Sequence, residues 1–429
     1  HPSPFTLTSH PHTPTPSPYL SSSNSMARQH AEGALVRLSI ESANRALIIK
    51  KLVGMLFDKE MGMQMQEQAA AALANLASDS AENRTSIVDA GGIEPLLSLL
   101  EGTSQRAKEN SVSAISKLAY KSEKIQAAIA QAGGIPLLAN VLTSSSSNVK
   151  EMMQAASLCS IAANGVSQLA EGNRDNQVAI AEAGAIQPLV VMLGSSAAEH
   201  QANAAGALAQ LCHLNTENQA AVARTGAIAP LCTLVREGAL EVKEQSAAAL
   251  WSLSHENNPN KATVAKLGGI EPLVTLLVMG GTDSSLEQSI GALAALSAKH
   301  NDNRETIAKM IVARLTSRIA MVQTAGGAVR VLSSVSKITN GNSANQMAIA
   351  KAGGVPPLIM WLTGGFDSGA KGNANVDAQC EAALALLSMA TGNEPLQGLI
   401  ARSNGIPPLI ELVRSAHRPY PNPHLYLHR

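Results

Sequence analysis

The sequence predicts an all-α protein built from stacked repeats of three helices, because three observations agree. A phrase of the form Gly-Gly-Ile-x-Pro-Leu returns along the 429-residue chain at steps close to 42 residues or twice that length. Aromatic residues make up 2% of the chain and hydrophobic residues 45%, so a core has to be built from Ala, Leu, Ile and Val. Helices suit that composition better than a β-sandwich, since sheets favour aromatic and β-branched residues.

The repeated phrase sets the length of one repeat. Its copies are separated by 42, 51, 42, 42, 85 and 51 residues, and they begin at Gly91, Gly133, Gly184, Gly226, Gly268, Gly353 and Asn404. The step of 85 predicts a repeat that has lost its phrase. Each step of 51 predicts a nine-residue insertion, which we assign to residues 164–172 between two repeats and to the 364–377 region between a second and a third helix. Such insertions can add to a binding surface, although tolerated loop growth is the simpler interpretation.

Each repeat is predicted to hold three helices in a fixed order. A short first helix begins at an asparagine N-cap, and the candidates are Asn83, Asn176, Asn218, Asn260, Asn303 and Asn345. The glycine that follows takes the left-handed conformation of a helix C-cap, and a proline near the start of the second helix has no N–H to leave unpaired. A longer third helix carries a buried Ala-Leu-x-x-Leu face, as in Ala72, Leu73 and Leu76.

Two repeats depart from this pattern. Residues 44–56 and 303–315 keep the asparagine and the second helix but lack the glycine turn. The array begins with a lone third helix at residues 33–38 and closes on a second helix near Val413, so we count about eight full repeats between two partial ones. One repeat is too small and too apolar to be stable alone, so neighbouring repeats have to stack and share a continuous core.

The ends differ from the middle in composition. Residues 1–25 hold six of the twenty prolines, and residues 417–429 are again rich in Pro, His and Tyr. Neither stretch can bury enough apolar area to offset the entropy of ordering, so we predict disordered tails at 1–30 and 417–429 around a solenoid at 31–416. Met26 is a candidate natural start.

Charge and hydropathy exclude several classes of function. Lys plus Arg and Asp plus Glu both number 32, so nothing favours binding to nucleic acid. No run of 18 apolar residues is present, which predicts no membrane insertion.

No pattern of catalytic or metal-binding residues stands out. The four cysteines are isolated and form no CxxC pair, which favours a reducing compartment and neither zinc nor disulfides; they are Cys159, Cys212, Cys232 and Cys380. His200, His213, His255 and His300 lie in loops or at helix ends, and the last three recur at about the repeat's own spacing. We therefore interpret them as equivalent corners, too far apart to share a metal. Glycine-rich phosphate-binding motifs are absent. We predict no enzyme activity, no cofactor and no metal.

The glycine–proline phrase, the asparagines and the Ala-Leu face together resemble armadillo repeats, of the kind found in β-catenin, importin α and the vacuolar armadillo proteins. The resemblance covers residues 31–416. It implies a right-handed superhelical solenoid in which the third helices line a concave groove that receives extended peptides.

In importin α, a column of Trp and a column of Asn along this groove hold a basic peptide. On this sequence the resemblance places the Trp column at Ala71, Ser113, Ala156, Gly206, Ala248, Gly291, Ser333 and Ala382. It places the Asn column at Asn75, Lys117, Ser160, Gln210, Ser252, Ala295, Lys337 and Leu386. No Trp and only one Asn match, so lysine side chains of a cargo would lack aromatic walls. Trp251 lies one place before the Asn column and is expected in the core.

The candidate residues for partner binding follow from these columns. Side-chain amides at Asn75 and Gln210 would bond the partner backbone, with Ser160 and Ser252 beside them and Lys117 and Lys337 contributing charge. An outer row adds four carboxylates, Glu67, Glu109, Glu244 and Glu287, which make the groove mildly acidic. The alternative for this row is a solvated helix face.

The prediction is a monomeric, non-enzymatic scaffold or adaptor in the cytoplasm, and also the nucleus, that binds an extended or helical segment of a protein partner. Two alternatives stay open. The chain could be the substrate-recruiting arm of a U-box-type ubiquitin ligase whose catalytic-recruitment domain is not in this sequence, or an importin-α-like import adaptor, which the missing columns disfavour. A membrane-tethered role like that of the vacuolar proteins would need an N-terminal Met-Gly signal, which Met26-Ala27 does not supply.

Overall fold

The computed structural model describes residues 25–58, 62–143, 149–316, 327–363 and 373–415. In these segments the chain forms 25 α-helices, a 3₁₀ turn at Leu99–Glu101 and no strand. The chain divides into two compact bodies, the N-terminal body His1–Ala185 and the C-terminal body Ile186–Arg429. The predicted tails fall largely outside the described residues, as do residues 364–372 of the second predicted insertion.

The N-terminal body contains ten helices within its described segments. They are α1 Ser25–Leu38, α2 Ser42–Phe57, α3 Met63–Asp79, α4 Ala81–Asp89, α5 Ile93–Ser98, α6 Gln105–Ala119, α7 Glu123–Gln131, α8 Gly134–Thr143, α9 Val149–Ala170 and α10 Arg174–Glu182. Helix α1 begins inside the range 1–30 that the sequence analysis assigns to a tail. The last proline of that range is Pro18, so nothing in the residues from Ser25 onward interrupts a helix.

The C-terminal body contains fifteen helices within its described segments. They are α11 Ile186–Met192, α12 Ala198–Cys212, α13 Thr216–Arg224, α14 Ile228–Glu237, α15 Leu240–Ser254, α16 Asn258–Lys266, α17 Ile270–Met279, α18 Asp283–Ser297, α19 Asn301–Thr316, α20 Gly327–Thr339, α21 Ser343–Lys351, α22 Val355–Leu362, α23 Asn373–Ala390, α24 Glu394–Arg402 and α25 Ile406–Ser415.

The third helices form the core of each body. They are α3, α6 and α9 in the N-terminal body and α12, α15, α18, α20 and α23 in the C-terminal body, and several neighbours in this series pack along their length. The predicted Ala-Leu-x-x-Leu face is buried: Ala207, Leu208 and Leu211 of α12 have no exposed surface. The sequence prediction of this face is confirmed, and it accounts for a core with so few aromatic residues.

The glycine turns between first and second helices are also confirmed. Gly91, Gly133, Gly184, Gly226, Gly268 and Gly353 all have φ between 71° and 88°, and Asn404 takes the same place with φ 63°. Where the turn glycine is missing, the first and second helices fuse: α2 and α19 each run 16 residues without a break.

The two glycines of each turn are needed for different physical reasons, as Gly133 and Gly134 illustrate. Gly133 has φ 82° and open space around its Cα, whereas a Cβ on Gly134 would lie 2.6 Å from Ile129 Cγ2 and 2.9 Å from the Ile129 carbonyl oxygen. We expect Gly133→Ala to cost about 1–2 kcal/mol through its left-handed backbone and Gly134→Ala about 1–3 kcal/mol through the clash. Asn tolerates the left-handed region, so Gly133→Asn should cost less than Gly133→Ala, and Gly134→Asn more than Gly134→Ala. Urea unfolding followed by circular dichroism measures both orders; the same order at both positions would contradict this division.

The first predicted insertion is not a loop. Residues 164–170 lie inside α9, which has 22 residues against 15 in α6, α12, α15 and α18. Gly165 of this segment packs against α6, where a Cβ would come within 2.8 Å of Ser116 Oγ. The prediction of a loop at 164–172 is therefore wrong: most of the extra residues lengthen the third helix, and the glycine within them allows that helix to pack closely on α6.

Candidate partner-binding face of the third helices

The last turn of a third helix leaves backbone carbonyls without partners inside the helix. In six repeats a buried asparagine of the following first helix donates its Nδ2 to one of them, seven residues upstream, at 2.8–3.2 Å. These are Asn83, Asn176, Asn218, Asn260, Asn303 and Asn345, the residues that the sequence analysis predicts as N-caps.

That N-cap prediction is wrong. The capping side chains lie three residues earlier and accept from the asparagine's backbone N–H at 3.0–3.4 Å; they are Ser80, Asn173, Asn215, Asn257, His300 and Asn342. The His300 ring thus caps a helix, while His213 and His255 follow the last residues of α12 and α15. The three histidines therefore do not mark one equivalent corner. In the described part of the chain no three His, Cys, Asp or Glu side chains are grouped as a metal site would need.

In some repeats a buried glutamine one position further along the first helix joins two successive third helices. Gln219 Nε2 donates to the carbonyl oxygens of Cys212 at 3.3 Å, Ser252 at 2.9 Å and His255 at 3.2 Å. Its Oε1 accepts from Asn257 Nδ2 at 3.0 Å. Gln126 makes the same links, and Gln346 binds the corresponding carbonyls at the end of the next third helix. This glutamine ladder was not predicted, although the Asn-Gln pairs at 176–177, 218–219 and 345–346 signal it.

The glutamine ladder also fixes the register of the face. Gln126 binds the Gln168 carbonyl and Gln346 the Ser388 carbonyl, as Gln219 binds that of Ser252. Gln168 and Ser388 therefore belong to the Asn column, and the predicted members Ser160 and Leu386 are wrong. Both are buried, with 1% and 2% of their surface exposed. The matching Trp-column positions become Asn164 and Leu384 instead of Ala156 and Ala382, because α9 and α23 are longer than the pattern assumed.

The other residues predicted to bind a partner through an amide, a hydroxyl or a lysine side chain differ in their exposure to solvent. Asn75 is half-buried and donates its Nδ2 to Glu32 Oε2 at 2.9 Å, so its amide already has an internal partner. Gln210 and Lys117 are half-buried, Ser252 is 9% exposed and Lys337 is exposed.

The predicted outer carboxylates are not one uniform row. Glu67 accepts from the Ser104 hydroxyl and Glu244 from the Thr282 hydroxyl, and these hydroxyls are the N-caps of the next third helices. Glu109 accepts from Gln105 Nε2 at 3.2 Å within its own helix, and Glu287 is exposed. Two of the four therefore join neighbouring repeats, which their spacing alone does not reveal.

Trp251 is half-buried instead of lying in the core as expected. Its ring covers Gly291 of α18, where a Cβ would come within 2.4 Å of ring atoms. A larger residue at position 291 would displace the ring, so the glycine allows the indole ring to pack against α18 on this face.

A pocket of about 230 Å³ opens on the face of the N-terminal body, among α3, α4, α6 and α9. Its lining is Ala77, Ser78, Arg84, Ser116, Lys117, Tyr120, Asn164 and Gln168. The Arg84 guanidinium carbon lies 5.7 Å from the Tyr120 ring centroid and Lys121 Nζ lies 5.1 Å from it. Burial lowers the pKa of Lys117.

The cysteine thiols and the apolar helices of the described segments were also candidates for chemistry or membrane contact in the sequence, and the structure describes both. All four thiols are free, and burial raises the pKa of Cys232 to about 11 and that of Cys212 further, so neither is a ready thiolate. Within the described segments no single helix is long and apolar enough to span a membrane. Two pairs pass such a test jointly, Glu123–Gln131 with Gly134–Thr143 and Asn258–Lys266 with Ile270–Met279, but each pair is bent, by 77° and 80°.

Stacked three-helix repeats with left-handed glycine turns define an armadillo-repeat protein, and the comparisons with known proteins agree. The family described as "Plant U-box protein ARM repeat region" matches residues 98–376, and the chain belongs to it. No curated protein matches the chain.

Solved structures similar to the chain include engineered and designed proteins. One, an engineered protein from the Northeast Structural Genomics Consortium, is 27% identical with a TM-score of 0.65 and 93% of both chains covered. A designed armadillo repeat protein is 25% identical with a TM-score of 0.52, over 58% of this chain and 99% of the other. Computationally designed armadillo repeat proteins for modular peptide recognition are 25% identical with a TM-score of 0.50, over the same shares. The predicted fold class and family are confirmed.

Proposed function

We propose that the chain is a protein-interaction scaffold that holds an extended or helical segment of a partner along the third-helix face of its bodies. The observation that carries this proposal is the face itself. Most of its central column is half-buried and made of small residues, including Ala71, Ser113, Gly206, Ala248 and Ser333, so a backbone can approach the helices closely there. Side-chain amides such as Gln168 and Gln210 lie beside that column and can bond a backbone.

The comparisons support the same use. Designed proteins of similar fold and 25% identity are described as built for modular peptide recognition. The repeat geometry offers one position per repeat, at spacings set by the helix stack. Recognition by backbone bonding with few aromatic anchors favours a segment that lies flat over several repeats.

A matched pair of variants tests the proposal. Ala248 is half-buried on the face of α15, and Ala220 is exposed on the first helix α13. A partner is first identified by affinity capture on the full chain and mass spectrometry. We expect Ala248→Arg to weaken that partner at least about tenfold, since a bulky cation there obstructs the segment, while Ala220→Arg leaves the affinity unchanged. Circular dichroism checks that both variants fold. Equal affinities for the two variants would refute binding on this face.

A second candidate is favoured by the family match. The chain would be the substrate-recruiting arm of a U-box ubiquitin ligase, with the bound segment belonging to the substrate. The test uses the natural full-length protein in a ubiquitylation reaction with the captured partner. Ubiquitylation of the partner that is lost with Ala248→Arg and kept with Ala220→Arg would support this role. A partner that is not ubiquitylated would count against the ligase role but not against the scaffold role.

A further inference from the structure

The pocket among α3, α4, α6 and α9 has the size of a side-chain group. Its volume of about 230 Å³ is below the roughly 300–1,000 Å³ typical of sites for small molecules. It lies on the third-helix face, where Lys117 and Gln168 belong to the Asn column and Asn164 to the Trp column. A partner segment on this face would therefore pass over it.

The pocket is basic, and no carboxylate lines it. Lys117 and Arg84 are both half-buried, and the ion pairs found in the described segments are elsewhere, Lys309–Glu305 and Arg414–Glu411. Glu82 interacts with Arg84 and Glu171 with Lys121, and neither glutamate is among the residues that line the pocket. A half-buried ammonium without a counter-charge is costly, and a bound anion would relieve that cost.

Several of the remaining polar groups are donors that suit an anion, whereas the Gln168 side-chain oxygen is a buried acceptor without a hydrogen-bond partner. Arg84 donates Nη1 to the Ala77 carbonyl at 3.1 Å, which fixes the guanidinium at the pocket wall while its other N–H groups remain as donors. Gln168 Nε2 donates to Asn164 Oδ1 at 3.4 Å, which directs the Asn164 NH₂ group away from that contact. The Tyr120 hydroxyl adds a further donor at the rim.

We propose that this pocket receives the phosphate group of a phosphorylated serine or threonine in the partner segment. Two cations, an amide and a phenol match a group that carries nearly two negative charges and three acceptor oxygens better than they match a carboxylate. The inference rests on the proposed function, because it assigns a preference to one position of the same bound segment.

The test measures fluorescence anisotropy of the full chain with labelled ten-residue peptide pools. The pools share random flanks and differ only in a fixed central residue, which is phosphoserine, serine, glutamate or lysine. We expect the phosphoserine pool to bind about tenfold more tightly than the serine pool, with glutamate between them. Lys117→Met and Arg84→Gln should each remove most of this preference, and Lys117→Arg should keep it. Lys337→Met is the matched control, because Lys337 occupies the same column in the C-terminal body but is exposed, and the preference should survive there.

Four results would overturn the proposal. Two concern the pools: equal binding of the phosphoserine and serine pools, or tighter binding of the lysine pool than of the phosphoserine pool. The other two are a phosphoserine preference that survives Lys117→Met combined with Arg84→Gln, and displacement of the phosphopeptide by inorganic phosphate or an RNA oligonucleotide at equal concentration. Failure here is distinguishable from failure of the scaffold role. A captured partner that loses affinity with Ala248→Arg but shows no phosphate preference refutes the pocket alone. If the phosphoserine preference depends on Lys117 but Ala248→Arg does not change the affinity for the captured partner, the proposal of binding along the extended face is refuted and the pocket is not.

Discussion

Replacing Gln219 by Glu is expected to lower the free energy of unfolding by about 3 kcal/mol or more at neutral pH. Gln219 is 1% exposed, and its NH₂ group donates hydrogen bonds to carbonyl oxygens at the ends of two third helices. A carboxylate of the same shape has no hydrogen to donate and would place a negative charge against those oxygens. Unsatisfied buried carbonyls and an uncompensated buried charge each cost on this scale.

The loss should depend on pH. Burial among carbonyls raises the pKa of the introduced carboxyl in the folded state above its unfolded value. Protonation therefore favours folding, and the stability of the variant relative to the natural protein should recover as pH falls through that folded-state pKa towards the unfolded one. Urea unfolding between pH 4.5 and 8, in steps, measures the difference.

Gln397→Glu is the matched control. Gln397 holds the same position in its repeat but is exposed and donates to one carbonyl, that of Ala390 at 3.0 Å. Its replacement should cost about 1 kcal/mol or less, with little dependence on pH. A Gln219→Glu variant as stable as this control would mean that the glutamine ladder does not hold the repeats together.

Truncation of Leu250 to Ala is the second change with a large expected effect, about 2–5 kcal/mol. Leu250 belongs to the Ala-Leu-x-x-Leu face of α15 and has no exposed surface. Helix α15 packs against α12 on one side and α18 on the other. A cavity at this position therefore removes contacts from a shared core, and in a repeat array the loss reduces coupling between neighbours as well as local stability.

Leu240→Ala provides the comparison on the same helix, since Leu240 opens α15 and is 41% exposed. We expect it to cost well under half as much. Chemical unfolding measures the free energy of unfolding of each variant. The breadth of the unfolding transition reports the coupling between repeats, because weakened coupling broadens the transition. Equal effects at positions 240 and 250 would contradict the assignment of the third-helix face as the core.

Some features of the fold follow from the sequence because they depend on neighbouring residues. A glycine with positive φ ends six of the first helices, and α2 and α19 continue without a break where it is missing. Leucine and alanine at a helical period predict which side is buried, as Leu208 and Leu250 show. Both rules act within a few residues, so a repeating pattern is sufficient to apply them.

The candidate face was predicted less completely. Its helices and several of its residues are where the pattern placed them, including Lys117, Gln210 and Lys337. The register was wrong in α9 and α23, because a step of 51 between phrases shows that residues have been added but not whether they extend a helix or a loop. The basic pocket was missed because Arg84 and Tyr120 lie at opposite ends of one repeat, Gln168 belongs to the next, and the three share no motif.

The sequence by itself determined the three-helix repeat, its turns, its fused exceptions and the apolar face, since period and backbone preference are local properties. Only the tertiary structure decided what the polar side chains do. Asn218 and Gln219 bind carbonyls on third helices, and Gln219 reaches one that lies 36 residues away along the chain. Which acceptor a buried amide meets depends on how neighbouring repeats stack, and that stacking is set by packing across the whole core.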